Sequence, residues 1–264
     1  MLIKLLIFAI FCFMNSLNAH AQEFIDAMNA RQYEACISQV EQDSKEALSV
    51  ARKWFIDGGG VAAQHCEALA LYSDERYEEA GDVFETVVDN LSTGEGVNDF
   101  ANKNSAVLKA QMNYLAGISW RSAEKFEKAY NAFSAAIIGL SDKSIFAYDL
   151  YIERGLVQYR RTEYKSALED FNKALEISDE KFDVFLYRAE TYRKLDEHVK
   201  ARLDLNVALA LEPNHPDVLF ESGVNYRMQH NDEKALLEWE RLINEYPDTR
   251  WQELAEENIK LIGK

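Results

Sequence analysis

The sequence predicts an all-α protein, an α-solenoid of antiparallel helix pairs that ends in a capping helix. The main observation is that certain residue types recur every 34 positions. The recurring sets are Gly155, Ala189 and Gly223; Ala167, Ala201 and Ala235; Phe171, Leu205 and Trp239; and Pro213 and Pro247. A period of this length, with two small residues, a large one and a closing proline, is typical of stacked helix-turn-helix repeats. The second observation is the shortage of helix breakers, since the 264 residues include only 11 Gly and 3 Pro.

Segment 1–21 is predicted to be a secretory signal peptide rather than part of the fold. Lys4 precedes an apolar run over residues 5–14, and Ala19-His20-Ala21 forms an A-x-A cleavage site, which is the usual order of such a signal. The apolar run is shorter than the ~20 residues that a membrane-spanning helix needs. We therefore expect a mature chain that starts at Gln22 and does not span a membrane.

The predicted export determines which cysteines remain and whether they can form a disulfide. Cys12 lies in the predicted signal, which leaves Cys36 and Cys66 in a compartment that permits disulfides. The two residues are candidates for a disulfide bridge. The alternative is a pair of small buried apolar residues, because the sequence does not give the distance between them.

The repeat register assigns the rest of the chain in order. Residues 22–60 are predicted to form an N-terminal helical region with one degenerate repeat, in which Ala35 and Ala47 are 12 residues apart. The same spacing separates the small residues of each later repeat, where they let helix A and helix B approach closely. The later repeats fill residues 61–249 and are predicted at 61–94, 110–143, 148–181, 182–215 and 216–249.

Two irregular joints and a cap complete the predicted fold. Residues 91–99 are rich in Gly, Ser and Asn and are predicted to form a loop, and residues 144–147 are inserted between two repeats. Residues 250–264 place apolar side chains at helical spacing after Pro247, as expected of a helix that caps the last repeat.

The charge balance excludes one class of partner. The chain holds 45 Asp and Glu against 29 Lys and Arg, a formal net charge of −16. A field of this sign repels nucleic acids and anionic lipid surfaces. We therefore expect no nucleic-acid partner.

No motif in the sequence predicts catalysis, a metal site or a cofactor. The zinc-protease pattern H-E-x-x-H, the hydrolase pattern G-x-S-x-G and paired C-x-x-C motifs are absent from the sequence, and residues 58–60 (Gly-Gly-Gly) lack the following Lys-Ser/Thr of a phosphate loop. His65 and Cys66 are adjacent, and adjacent residues on a helix point about 100° apart. We predict a non-enzymatic protein; a hydrolase that uses His65 or Ser122 is a further alternative.

The repeats resemble a known family, the tetratricopeptide repeat (TPR). The resemblance is carried by Tyr151, Arg154, Gly155, Tyr164, Ala167, Phe171 and Ala174 in one repeat and by Phe185, Arg188, Ala189, Tyr192, Ala201, Leu205, Ala208 and Pro213 in the next. It implies a right-handed superhelix whose helices A line a concave groove that binds a protein or peptide. The motif is specific for the fold and much less so for the function.

The resemblance also assigns residues to this groove. The positions carried over include Tyr114, Arg121, Ile152, Tyr159, Arg160, Leu186, Arg193, Lys194, Phe220 and Arg227. Four of them, Arg121, Arg160, Arg193 and Arg227, would form a basic row and favour an acidic partner. The alternative is that these arginines only complement the helix dipole in the last turn of each helix A and pair with nearby Asp and Glu.

Trp54, residues 58–60 (Gly-Gly-Gly) and His65-Cys66 lie early in the chain, and Ala235 and Trp239 precede the segment 246–249 (Tyr-Pro-Asp-Thr). This layout is also similar to exported TPR proteins of Gram-negative bacteria. This resemblance implies a periplasmic adaptor in cell-envelope assembly, with a secreted or signal-anchored protein as the alternatives. A different kind of function, a structural module that associates with itself through its ends or convex face, also fits the repeats. The oligomeric state is left open.

Overall fold

The computed structural model describes residues 30–94, 105–140 and 145–262. These residues form helices and contain no strand, which confirms the predicted all-α class. In chain order the helices are α1 (Ala30–Gln42), α2 (Ser44–Trp54), α3 (Gly60–Ser73), α4 (Tyr77–Thr93), α5 (Ser105–Ser122), α6 (Phe126–Ile138), α7 (Ile145–Arg160), α8 (Tyr164–Ile177), α9 (Phe182–Lys194), α10 (His198–Leu211), α11 (Pro216–Met228), α12 (Asp232–Glu245) and α13 (Arg250–Ile259). The predicted signal peptide, residues 1–21, lies outside the described residues.

The chain divides into two compact units, unit 1 (Met1–Asp142) and unit 2 (Lys143–Lys264). Within each unit, every helix packs against the next one along the chain. In unit 2, α7 also contacts α9, α9 contacts α11, and α11 contacts α13. This consecutive packing of helix pairs confirms the predicted solenoid architecture.

The recurring small residues lie where a helix A meets its helix B. A Cβ atom on Gly155 would lie 2.6 Å from the ring of Phe171, and one on Gly117 would lie 2.6 Å from the ring of Phe133. The next repeat has Ala189 and Leu205 at these positions, both fully buried in one cluster. Where Ala189 replaces the smaller Gly155 on helix A, Leu205 therefore replaces the larger Phe171 on helix B. Close packing requires this exchange of volume.

Unit 2 also repeats a buried ion pair that our sequence reasoning missed. Arg154 of α7 donates two hydrogen bonds to Asp170 of α8, at 2.8 and 2.7 Å, and Arg188 of α9 donates two to Asp204 of α10, at 2.7 and 2.6 Å. Such bidentate pairs are among the stronger hydrogen-bonded contacts in proteins. Both arginines and both aspartates are related by the 34-residue step, so the repeat contained the signal.

The first helix of unit 1 is attached by a covalent bond. A disulfide joins Cys36 of α1 to Cys66 of α3, with 6.3 Å between the Cα atoms. Ala47 is buried as predicted, but Ala35, expected at the same helix crossing, is exposed. The prediction for Ala35 is wrong because Cys36 is the residue that faces α3, and adjacent helical residues point about 100° apart.

Helices extend into both segments that were predicted to be irregular joints. Helix α4 continues to Thr93 and is followed by Gly94, which has a left-handed φ of 79°; Leu91 is 3% exposed and belongs to the core. The predicted loop therefore begins too early, and its residues 95–99 lie outside the described part. Helix α7 already begins at Ile145, so residues 145–147 of the predicted insertion extend a helix, with Ala147 buried.

The capping helix is α13. Its Ala255 is fully buried, and Trp251 and Ile259 pack against the cluster that contains Leu219 and Trp239. This contact covers the apolar side of the last repeat, which confirms the predicted cap.

Candidate functional site

Three successive helices A of unit 2 form one surface, which we call the A-helix face. It is the side of α7, α9 and α11 that carries Tyr159, Glu190, Arg193 and Glu221. Burial raises the pKa of Tyr159 to about 12. The charges of Glu190, Arg193 and Glu221 also act on this pKa. The four side chains therefore lie close together although they belong to three helices.

Arg193 is the central contact of this face. Its Nε donates to Oε1 of Glu221 at 2.5 Å and its Nη2 donates to Oε2 at 3.1 Å, which ties α9 to α11. Burial raises the pKa of Glu221, and the guanidinium of Arg193 opposes this rise. Arg193 therefore pairs with a carboxylate of its own chain. This agrees with the alternative stated above, in which arginines of the basic row pair with nearby Asp and Glu.

Glu190 lies beside this ion pair without a partner of its own. No hydrogen bond or ion pair joins its carboxylate to another of the described residues. Burial raises its pKa to about 7 and the nearby carboxylate of Glu221 adds to the rise, while the cations of Arg193 and Lys194 partly oppose it. A carboxyl group with a pKa near neutrality is a frequent feature of functional sites, because structural carboxylates are usually paired or solvated.

Cations lie at the carboxyl ends of the same helices. Arg160 and Lys194 are exposed at the ends of α7 and α9, and Arg227 is half-buried near the end of α11. Within the described part of the chain, none of these three side chains forms an ion pair. Their positions also complement the negative ends of the helix dipoles.

Carboxylates lie toward the opposite ends of these helices. Asp149, Asp183 and Asp217 follow the 34-residue step at the start of α7, α9 and α11. Asp183 accepts a hydrogen bond from the hydroxyl of Tyr148 at 2.8 Å, and Asp149 lies 3.7 Å from Lys181 Nζ. The A-helix face is therefore acidic toward one end and basic toward the other, rather than uniformly basic.

The structure places the other predicted groove residues in three settings. Ile152 and Leu186 are only 6% and 4% exposed, so they belong to the core of unit 2 and the prediction that they line an open groove is wrong. Phe220 is half-buried and its ring centroid lies 6.2 Å from that of Trp251. Tyr114 and Arg121 lie on α5 of unit 1 and are not part of the A-helix face.

The residues considered for catalysis are held in structural contacts. His65 is 5% exposed, its Nδ1 lies 2.7 Å from the hydroxyl of Tyr33, and burial lowers its pKa to about 4. Ser122 Oγ lies 3.2 Å from the hydroxyl of Tyr72. Among the described residues there is no group of three or more His, Cys, Asp or Glu that could hold a metal ion.

None of the described helices is both long enough and apolar enough to cross a bilayer.

Comparison with known proteins supports the repeat assignment. Residues 217–249 match the family model of the tetratricopeptide repeat. No curated protein sequence matches the chain significantly.

Several solved structures share the fold at low sequence identity. PilF of Pseudomonas aeruginosa is 17% identical, with a TM-score of 0.63 over 88% of this chain and 98% of that one. A TPR repeat-containing protein of Cytophaga hutchinsonii is 19% identical, with a TM-score of 0.63 over 80% of this chain and 78% of that one. YrrB, a TPR protein with an unusual peptide-binding site, is 21% identical, with a TM-score of 0.57 over 75% of this chain and 91% of that one.

Proposed function

We propose that this protein is a non-enzymatic interaction module that binds a segment of a partner protein along the A-helix face of unit 2. The observation that carries the proposal is the unpaired state of Glu190, Arg160 and Arg227 within the described structure. Other charges of unit 2 are satisfied internally, as in the pair of Arg154 and Asp170. Glu190 is the partly buried member of this set, and a buried charge without a partner is costly, so a cationic ligand group would remove that cost. Exposed Arg160 and half-buried Arg227 are available to carboxylates of the same ligand.

The charge pattern indicates what the bound segment carries. A cationic side chain would lie opposite Glu190, and carboxylates would lie opposite Arg160, Lys194 and Arg227. This proposal modifies the acidic partner expected from the basic row, because Arg193 already pairs with Glu221 at the centre of the face. The similarity to YrrB, which has a peptide-binding site, supports a peptide-like ligand.

We further propose that the protein acts in the bacterial periplasm, as an adaptor in cell-envelope assembly. The proposal is supported by the apolar leader with its A-x-A site in residues 1–21 and by the disulfide between Cys36 and Cys66, since disulfides persist in oxidising compartments. The mass of the chain purified from an envelope extract tests the export step. A chain that begins at Gln22 agrees with export, and one that retains Met1 in the cytoplasmic fraction contradicts it.

Selection from a random 12-residue peptide library tests the binding proposal. The immobilised wild-type protein is the bait, and the selected peptides are measured by fluorescence anisotropy against an Arg160→Glu/Arg227→Glu variant. The matched control is Lys165→Glu/Arg250→Glu, which changes the net charge equally at exposed residues of α8 and α13. We expect mixed-charge peptides whose Kd rises at least 10-fold for the first variant and stays unchanged for the control.

Two results would contradict the proposed site. One is an equal loss of affinity in both variants, which would show a general charge effect. The other is unchanged binding to the Arg160→Glu/Arg227→Glu variant, which would place the site elsewhere. A hydrolase is not proposed, because His65 is buried and hydrogen-bonded to the hydroxyl of Tyr33.

A further inference from the structure

Helix α10 carries an exposed apolar stripe that the fold of unit 2 does not require. Val199, Leu203, Val207 and Leu211 follow one another at four-residue steps, and their exposed fractions are 71%, 62%, 38% and 39%. Residues spaced by four lie on the same side of a helix, so the stripe extends over about 18 Å. Single exposed aliphatic residues are common, but a continuous row of four usually marks an interaction surface.

The neighbouring repeats show that this stripe is specific to α10. At the equivalent positions, 34 residues away, helix α8 has Lys165, Glu169, Lys173 and Ile177, and helix α12 has Glu233, Leu237, Arg241 and Glu245. The same packing therefore tolerates charged side chains at these positions. The apolar residues of α10 are not explained by contacts within unit 2.

We infer that the stripe on α10 is a self-association surface, on which the stripe of a second copy packs antiparallel around a two-fold axis. The first argument is charge. Two chains of formal charge −16 repel each other over most of their surfaces. Between Val199 and Leu211 the only carboxylate is Asp204, which is buried and paired with Arg188, so this is a surface where two acidic chains can approach.

The second argument is the symmetry of the stripe. Antiparallel pairing around a two-fold axis places Val199 opposite Leu211 of the second copy and Leu203 opposite Val207, so every apolar side chain meets another one. It also brings exposed Lys200, which lies near the amino end of α10 and pairs with Glu197 of its own chain, to the same end of the interface as exposed Glu212 of the second copy. Parallel pairing would instead bring the two lysines together. Antiparallel helix dipoles favour the same arrangement.

The size of the stripe predicts a weak dimer. A stable interface buries about 800 Å² on each partner, and one helix face offers less. We expect a monomer at 1 μM and a dimer at several hundred micromolar, as measured by sedimentation velocity of the disulfide-bonded protein.

The first test copies the surface of α8 onto α10. The Val199→Lys/Leu203→Glu variant has the residues that α8 carries at these positions, so the helix should fold, and we expect its dimerisation Kd to rise at least 10-fold. The control is Leu237→Glu on α12, which is 60% exposed at the position equivalent to Leu203 and should leave the Kd unchanged. An equal effect of both variants would overturn the assignment to α10.

The second test is a charge exchange that depends on the antiparallel arrangement. Lys200→Glu and Glu212→Lys should each weaken the dimer, and the double variant Lys200→Glu/Glu212→Lys should recover most of the wild-type Kd. Absence of recovery would overturn the antiparallel pairing. A wild-type chain that remains monomeric at 500 μM would overturn self-association altogether.

Discussion

Unit 1 attaches its first helix to the repeats with a covalent bond, whereas unit 2 joins helix A to helix B within its repeats by non-covalent contacts that recur every 34 residues. In unit 1, the disulfide between Cys36 and Cys66 joins α1 to α3, where the first repeat has lost its regular pattern and leaves Ala35 exposed. In unit 2, the contact of Gly155 with Phe171 and the pair of Arg154 with Asp170 have equivalents one repeat later. The difference indicates that a degenerate repeat compensates for lost packing by a cross-link.

The largest expected effect comes from removing this cross-link. The double variant Cys36→Ala/Cys66→Ala should lower the free energy of unfolding of unit 1 by roughly 3 kcal/mol, because a disulfide that closes a loop of this size restricts the unfolded chain. Hydrogen exchange measured by mass spectrometry should show faster exchange in α1 and α2 and unchanged exchange in α8 and α10. Unchanged protection of α1 would show that its packing on α3 suffices without the bond.

The next effect is the loss of folding stability that the unpaired carboxylate of Glu190 causes in unit 2. Because the pKa of Glu190 is raised to about 7 when folded, from about 4.3 when unfolded, the folded state binds the proton more tightly. Stability from this group is therefore present at low pH and is lost as the pH rises through the window from about 4.5 to 7. Glu190→Gln should raise the free energy of unfolding by about 2 kcal/mol at pH 8 and leave it nearly unchanged at pH 4.

Urea unfolding at the two pH values measures this difference. The matched control is Glu169→Gln, an exposed glutamate on α8, which should change stability by less than about 0.5 kcal/mol at either pH. An equal gain at pH 4 and pH 8 would show that the Glu190 carboxylate is not the source of the pH dependence.

The smallest expected effect comes from a larger residue placed where helix A crosses helix B. Gly155→Ala places a Cβ 2.6 Å from the ring of Phe171, and overpacking costs about 1 to 3 kcal/mol. Alanine recovers about 1 kcal/mol through its better helix propensity, so the net loss should be about 1 kcal/mol, measured by thermal unfolding. Adding Phe171→Leu should reduce this loss, because Ala189 and Leu205 already form such a pair in the next repeat.

The double variant decides between two explanations of the recurring glycine. If Gly155→Ala costs as much stability in the Phe171→Leu background as in the wild type, the alanine and the ring do not compete for the same space. A gain on adding the alanine to Phe171→Leu would show that the size of the helix B residue sets the size allowed on helix A.

Much of the fold could be predicted because its repeats are local. The helix pairs of unit 2, the cap at α13 and the buried small residues all follow from residue types within one or two repeats. The errors lie where the repeat is interrupted. The polar residues after Leu91 led to its assignment to a loop. In the structure Leu91 is buried and α4 continues to Thr93.

The candidate site was less predictable. The register brought Arg160, Arg193 and Arg227 to the ends of successive helices A, but it could not show that Arg193 pairs with Glu221. It also placed Ile152 and Leu186 in an open groove, although both are buried. The position of a residue within a repeat gives its direction from the helix, and its exposure depends in addition on how closely the adjacent helices pack.

The sequence by itself determined the repeating helix pair and the residues that meet inside it, because a helix and its turn depend on neighbours within one 34-residue period. Only the tertiary structure decided which charges are paired and which are left without a partner among the described residues. The contact of Arg193 with Glu221 joins residues 28 positions apart on different helices, and its formation leaves Glu190 unpaired beside it. Such pairing depends on distances between packed helices, which the residue types alone do not specify.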